Sequence, residues 1–218
     1  MNNLVALLNK SSEEERLSFA LFVGAIDSSN GAIKSAIWKK STNLFQKAKG
    51  AKPTYNNILR RVADKLKIKI YKWESAESIE IKICQKVIET ALDQMSDYQI
   101  EQLEKELYKE SKKFGKKYEL IESAGILSSL TAAQLSGFGV YLLASTSLAF
   151  VASGIGIALP FAIYTAMSEV ISFVIGPAGW IGLGLYSVWR LTSPNYRRLT
   201  SMIIYITIIR AKVKLQLS

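Results

Sequence analysis

The chain has 218 residues, with 28 Lys and Arg against 18 Asp and Glu, a net charge of +10, no histidine and a single cysteine, Cys84. These counts exclude Ser-His-Asp and Cys-His catalysis, an ordinary zinc site and an intramolecular disulfide. The cationic excess suits anionic lipid headgroups, nucleic acid or an acidic protein. Nucleic acid is disfavoured, because no zinc-finger or RNA-recognition signature is present.

The opening MNNLVALLNKSSEEE lacks a basic region and turns acidic early, so no signal peptide is expected. Ser11-Ser12-Glu13-Glu14-Glu15 offers a capping box in either register, Ser11 to Glu14 or Ser12 to Glu15. The helix it starts is expected to carry Leu17, Phe19, Leu21 and Phe22, and residues 27–31 (DSSNG) stop it. A second helix is predicted over 32–47, with Ile33, Ile37, Trp38 and Leu44 as its apolar residues, ending at Gly50 and Pro53.

Thr54 can cap a third helix, in which Tyr55, Ile58, Leu59 and Val62 recur at helical spacing. Residues 67–73 (KIKIYKW) alternate like a strand, but no second strand pattern exists to pair with them. They read as a helix end or an extended connector. A strong helix over 78–95 places Cys84 among Ile81, Ile83, Val87 and Ile88, as a small buried hydrophobe. Ser96 and Gln99 form another capping box, opening a helix with Ile100, Leu103 and Leu107 on one face. Lys112, Lys113, Lys116 and Lys117 follow. They read either as a basic surface for headgroups or as a solvated linker.

Residues 123–189 then carry one charge, Glu169. An apolar stretch of more than about 18 residues is the usual sign of a membrane span, although a helical shell could bury it instead. Glycine and proline divide the stretch. Helices are expected at about 125–152 and 157–175, separated by a turn at Gly154 and Gly156, with Pro160 tolerated in a first helical turn. At about 1.5 Å per residue the two helices would reach roughly 42 and 28 Å, against a hydrocarbon core of about 30 Å. Gly176-Pro177 breaks the chain again. Trp180, Tyr186 and Trp189 beside Arg190 resemble interfacial anchors. Residues 193–195 punctuate, and a last helix over 196–215 starts with Arg197 and Arg198.

Glu169 is the residue that a membrane reading must explain. It is either a switch or lumen-facing group, or a core carboxylate satisfied by an arginine or a hydroxyl, or one exposed at a helix end. Residues 1–122 hold 22 basic and 17 acidic side chains. Residues 123–218 hold 6 and 1, all six basic ones from Arg190 onward, so the C-terminal tail is sharply cationic. Basic flanks on both sides of the apolar block favour an even number of crossings.

Two stretches resemble a known family. The first is Tyr55-x-x-Ile58-Leu59-x-x-Val62-x-x-x-Leu66-Lys67-x-Lys69, followed by Glu80 and Gln85. The second runs from Leu127-Ser128-Ser129 through Gly176-Pro177 to Tyr196-Arg197 and Arg210. Together they cover most of 54–212 and resemble the YaaW-like family of bacterial proteins of unknown function, which has been linked to the ubiquinol–cytochrome c chaperones. The resemblance implies a helical fold with a Gly-rich apolar C-terminal part and supplies no catalytic residues. This chain departs from it by a longer uninterrupted apolar block. In pattern alone, the chain also looks like the pore-forming domain of colicins.

The expected fold is all-α, with amphipathic helices of a charged region 1–120 around or beside an apolar hairpin in 121–218. The expected function is membrane-active, with the 123–175 hairpin inserting into or perturbing an anionic bilayer. The protein would be bacterial and associated with the inner membrane, its N- and C-terminal regions cytoplasmic. The alternative is a soluble helical interaction or chaperone-like module with the apolar block as its core, serving a protein partner or a homo-oligomer. No spacing assembles a catalytic site, so neither an enzyme nor a cofactor is expected.

Overall fold

The computed structural model describes residues 2–45, 53–113, 137–155 and 194–216. Among them are eight helices and no strand, in keeping with the all-α expectation. They are α1 (Asn2–Lys10), α2 (Glu13–Val23), α3 (Asn30–Phe45), α4 (Tyr55–Lys65), α5 (Ala76–Leu92), α6 (Asp97–Lys113), α7 (Gly137–Ile155) and α8 (Pro194–Gln216).

Helix ends follow local chemistry. The first capping box settles on Ser12 and Glu15: the Glu15 N–H donates to the Ser12 hydroxyl at 3.1 Å, and the Ser12 N–H to the Glu15 carboxylate at 3.2 Å. Ser11, the other register, is buried and donates its hydroxyl to the Leu8 carbonyl at the end of α1. Thr54 and Ser75 cap α4 and α5 in the same way, accepting the Asn57 and Ser78 N–H groups. The box at Ser96 and Gln99 opens α6. Pro194, expected as punctuation, instead begins α8, where its missing N–H costs nothing and its fixed φ suits a first turn.

The packing is centred on α7 and α8. These two lie against each other, α5 packs on both, and α8 also packs against α1, α2, α3 and α4. Every residue from 199 to 209 of α8 is buried, as is every residue from 139 to 152 of α7. A helix that is apolar all round belongs in a core or a membrane. Here the described part of the apolar block shares one hydrophobic core with Leu4, Phe19, Ile33, Ile58, Ile83 and Leu103 from the first half of the chain. Among the described residues no helix is long and apolar enough to cross a membrane.

Most polar residues inside these helices are satisfied locally, the exception being the buried Thr146 hydroxyl, which has no hydrogen-bond partner among the described residues. Ser145, Ser147, Thr200, Ser201 and Thr207 each donate to a carbonyl four residues back. Ser147 reaches further, donating at 3.0 Å to the Cys84 carbonyl on α5, which ties α7 to α5. Tyr205 of α8 receives Phe19 and Phe22 of α2 edge-on, each at 5.1 Å between ring centres.

Helix α2 carries Leu17, Phe19, Leu21 and Phe22 as expected, but Leu17 and Leu21 are 50% and 64% exposed, while Ser18, Phe19, Ala20 and Val23 point inward. The inward face of α2 is set by Tyr205, and a short helix with many apolar residues has no single face dictated by its sequence. The turn expected at Gly154 is not there: Gly154 lies in the last turn of α7, where a glycine costs a helix only about 1 kcal/mol. Helix α1 was not anticipated, although Leu4, Leu7 and Leu8 line one buried face at helical spacing.

Candidate functional site

Glu80 lies on the inward face of α5 with Ile79, Ile83, Cys84 and Val87, and its side chain is 0% exposed. A buried carboxylate in such a setting requires partners. Arg210, near the C-terminal end of α8, supplies a two-pronged one: Nε to Oε2 at 2.8 Å and a terminal nitrogen to Oε1 at 2.9 Å. The Tyr55 hydroxyl, from the first turn of α4, donates to the same Oε1 at 2.9 Å. Three helices thus meet on one carboxylate.

Burial pushes the Glu80 carboxyl above its ordinary value, and the bonds from Arg210 and Tyr55 act against that rise. Burial and then the Glu80 charge push the Tyr55 phenol well above its ordinary value, so it stays a donor. For Arg210, burial works against the charge, but the Glu80 hydrogen bond and charge outweigh it. Cys84 lies one turn along α5. It is a free, buried thiol pushed up to about 12 by burial, which makes it the inert small hydrophobe expected of it.

Half of the basic residues of the C-terminal segment are paired within the fold. Arg210 binds Glu80, Lys212 sits 3.5 Å from Glu15 of α2, and Lys214 pairs with Glu77 of α5. Three of the six basic residues from Arg190 onward therefore face protein carboxylates. Arg198 is exposed, and Arg197 is half-buried. Arg198 faces α3: burial, then the charges of Arg198 and Lys39, hold the Lys40 ammonium below its ordinary value.

Lys112 and Lys113 end α6. Lys116, Lys117, Gly156, Pro160, Glu169, Gly176, Pro177, Trp180, Tyr186, Trp189 and Arg190 lie outside the described residues.

Two features were not singled out as sites from the sequence. Tyr55, Glu80 and Arg210 figure only as separate members of a family pattern, and folding brings them together. The readable signal was an acid at a core position of α5 and an arginine continuing an Ile-rich run on α8. The second feature is the connector between α4 and α5, where Arg60 donates to the carbonyls of Tyr71, Lys72 and Glu74.

A UPF0174 protein of Helicobacter pylori (strain J99) is 29% identical to this chain over 167 residues, covering 76% of this chain. The match spans 64% of that relative's own length. No family model and no solved structure matches the chain. The similarity is to a bacterial protein whose name carries no activity.

Proposed function

We propose that the chain is a non-enzymatic helical interaction module that holds the α7 segment of its apolar block as a packed core and acts through its surface. The observation that carries this reading is the burial of residues 139–152 against α5 and α8. The ion pairs of Arg210, Lys212 and Lys214 with Glu80, Glu15 and Glu77 support it, since they commit half of the tail's basic residues to the fold. The YaaW-like resemblance belongs to the same proposal, supported by the meeting of Tyr55, Glu80 and Arg210 from its two separate stretches.

Insertion of the 123–175 hairpin is the second reading, and the single charge within 123–189 favours it. In that reading the protein resides at the inner membrane, perturbing or perforating the bilayer as colicin pore-forming domains do. Carbonate extraction of cell membranes and dye release from anionic vesicles separate the two. The packed-core module is stripped by carbonate and leaves trapped dye in place at every pH. Carbonate-resistant protein, or dye release that rises in acid and loses that pH dependence in Glu169→Gln, would establish insertion instead.

A further inference from the structure

The connector between α4 and α5 is cationic and aromatic, and hydrogen bonds from Arg60 and to Glu74 hold its backbone. Its alternation is real but serves no sheet. Ile68 and Ile70 pack against the core, while Lys67, Lys69, Tyr71 and Trp73, at the intervening positions, face outward. Trp73 is 81% exposed and Tyr71 46%, and their rings stack in parallel at 5.5 Å. Lys67, Lys69 and Lys72 are exposed and form no ion pair among the described residues. Residues 65–73 contain four lysines and no acid.

The backbone beneath these side chains is fixed from three directions. The Arg60 guanidinium holds the Tyr71, Lys72 and Glu74 carbonyls at 3.1, 3.0 and 3.4 Å. The buried Glu74 carboxylate accepts the Tyr71 N–H at 2.9 Å and the Ser78 hydroxyl at 3.1 Å. The Lys82 ammonium bonds that carboxylate at 2.8 Å and the Lys69 carbonyl at 3.4 Å, and lies 5.8 Å from the centre of the Tyr71 ring. Glu74, the acid that borders the loop, is thereby neutralised within the fold. An exposed tryptophan on a fixed support loses little freedom on binding, which is how preorganised contacts gain affinity.

We propose that residues 67–73 are a docking loop for an anionic membrane surface. Lys67, Lys69 and Lys72 meet lipid phosphates and carboxylates, and Trp73 with Tyr71 enters the headgroup region, where amphipathic rings settle. Single-stranded nucleic acid is the less fitting partner, because Tyr71 and Trp73 stack on each other and leave no slot to clasp a base between them. The docking is peripheral and rests on the packed-core reading, in which the protein works from the surface without inserting α7.

The test is co-sedimentation of the full-length protein with vesicles of phosphatidylcholine alone or mixed with phosphatidylserine. Binding is expected only to the mixed vesicles and to weaken with salt. A lysine near such a surface contributes roughly a fivefold factor, so Lys67→Gln/Lys69→Gln/Lys72→Gln should bind on the order of a hundredfold more weakly. Trp73→Ser should bind several-fold more weakly while leaving the salt dependence intact. All four residues are exposed, although Lys69 and Trp73 also contact the Tyr71 ring, so unchanged circular dichroism and melting would show that the variants fold. Equal binding by wild type and the triple-lysine variant overturns the proposal. So does failure to bind mixed vesicles, including the case where a single-stranded oligonucleotide binds and loses affinity through the same substitutions. Dye release accompanying loop-dependent binding would instead refute the packed core and the peripheral character of the docking, while the contact of residues 67–73 with the anionic surface would stand.

Discussion

The carboxylate of Glu80 carries an electrostatic burden out of proportion to its size. Removing Arg210 leaves a fully buried, uncompensated charge, a change that costs about 3–5 kcal/mol in comparable pairs. We therefore expect Arg210→Met to lower the urea midpoint sharply, and Glu80→Leu combined with Arg210→Met to recover much of the loss. A double mutant no more stable than the single would show that Arg210 acts through packing rather than charge. The pH dependence has a definite sign. Because burial raises the Glu80 carboxyl above its ordinary 4.5, the native state holds this proton more tightly than the unfolded chain does. Its contribution is therefore complete below that value and lost as pH rises through the raised native one. Glu80→Gln, although less stable overall, should show a flatter fall in stability as pH rises above about 4.5. This cluster was only half legible in the sequence. An acid among Ile79, Ile83, Cys84 and Val87 announces that it needs a partner, but the partner lies 130 positions away and one sequence carries no pairing information.

Individual helices were far more legible, because caps and turn residues act locally. Ser12, Thr54, Ser75 and Ser96 all lie where side-chain oxygens meet orphan N–H groups, and they set helix starts irrespective of tertiary packing. Faces were less legible: Leu17 and Leu21 face solvent because Tyr205, from the far end of the chain, selects the other side of α2. Helix ends furnish a paired prediction. Gly24 closes α2 with φ +66°, and a Cβ there would meet only the Lys40 ammonium at 3.6 Å, so the cost of Gly24→Ala is conformational, about 1–2 kcal/mol. Lys67 follows α4 at φ 59° with its N–H on the Asp64 carbonyl, paying a similar strain without glycine's freedom. Lys67→Gly should raise the melting temperature, by up to about 1 kcal/mol of stability, while Gly24→Ala lowers it. Two shifts of the same sign would contradict the backbone assignment at one of these caps.

For the molecule as a whole, the apolar block cannot be assigned to lipid or protein from hydropathy, because both environments select the same residues. What distinguishes them is whether the first half of the chain depends on α7 for its own stability. Phe150 is buried on α7, which packs against α5, and Ser147 of the same helix bonds the Cys84 carbonyl. If α7 is structural core, Phe150→Ala should cost about 3–5 kcal/mol of global stability. The loss should appear at once in every reporter of the bundle: the helical circular dichroism signal, and alkylation of Cys84, whose thiol is protected by burial and pushed up to about 12. In wild type, alkylation requires opening of the α5–α7–α8 contact, so its rate follows the equilibrium population of that opened form. In Phe150→Ala the rate should rise by the factor that the denaturation midpoint implies, roughly a hundredfold or more for a loss of that size. An unchanged midpoint with accelerated alkylation would mean that α7 leaves the bundle on its own while the remaining helices stay folded. That behaviour belongs to an inserting hairpin and not to a packed core.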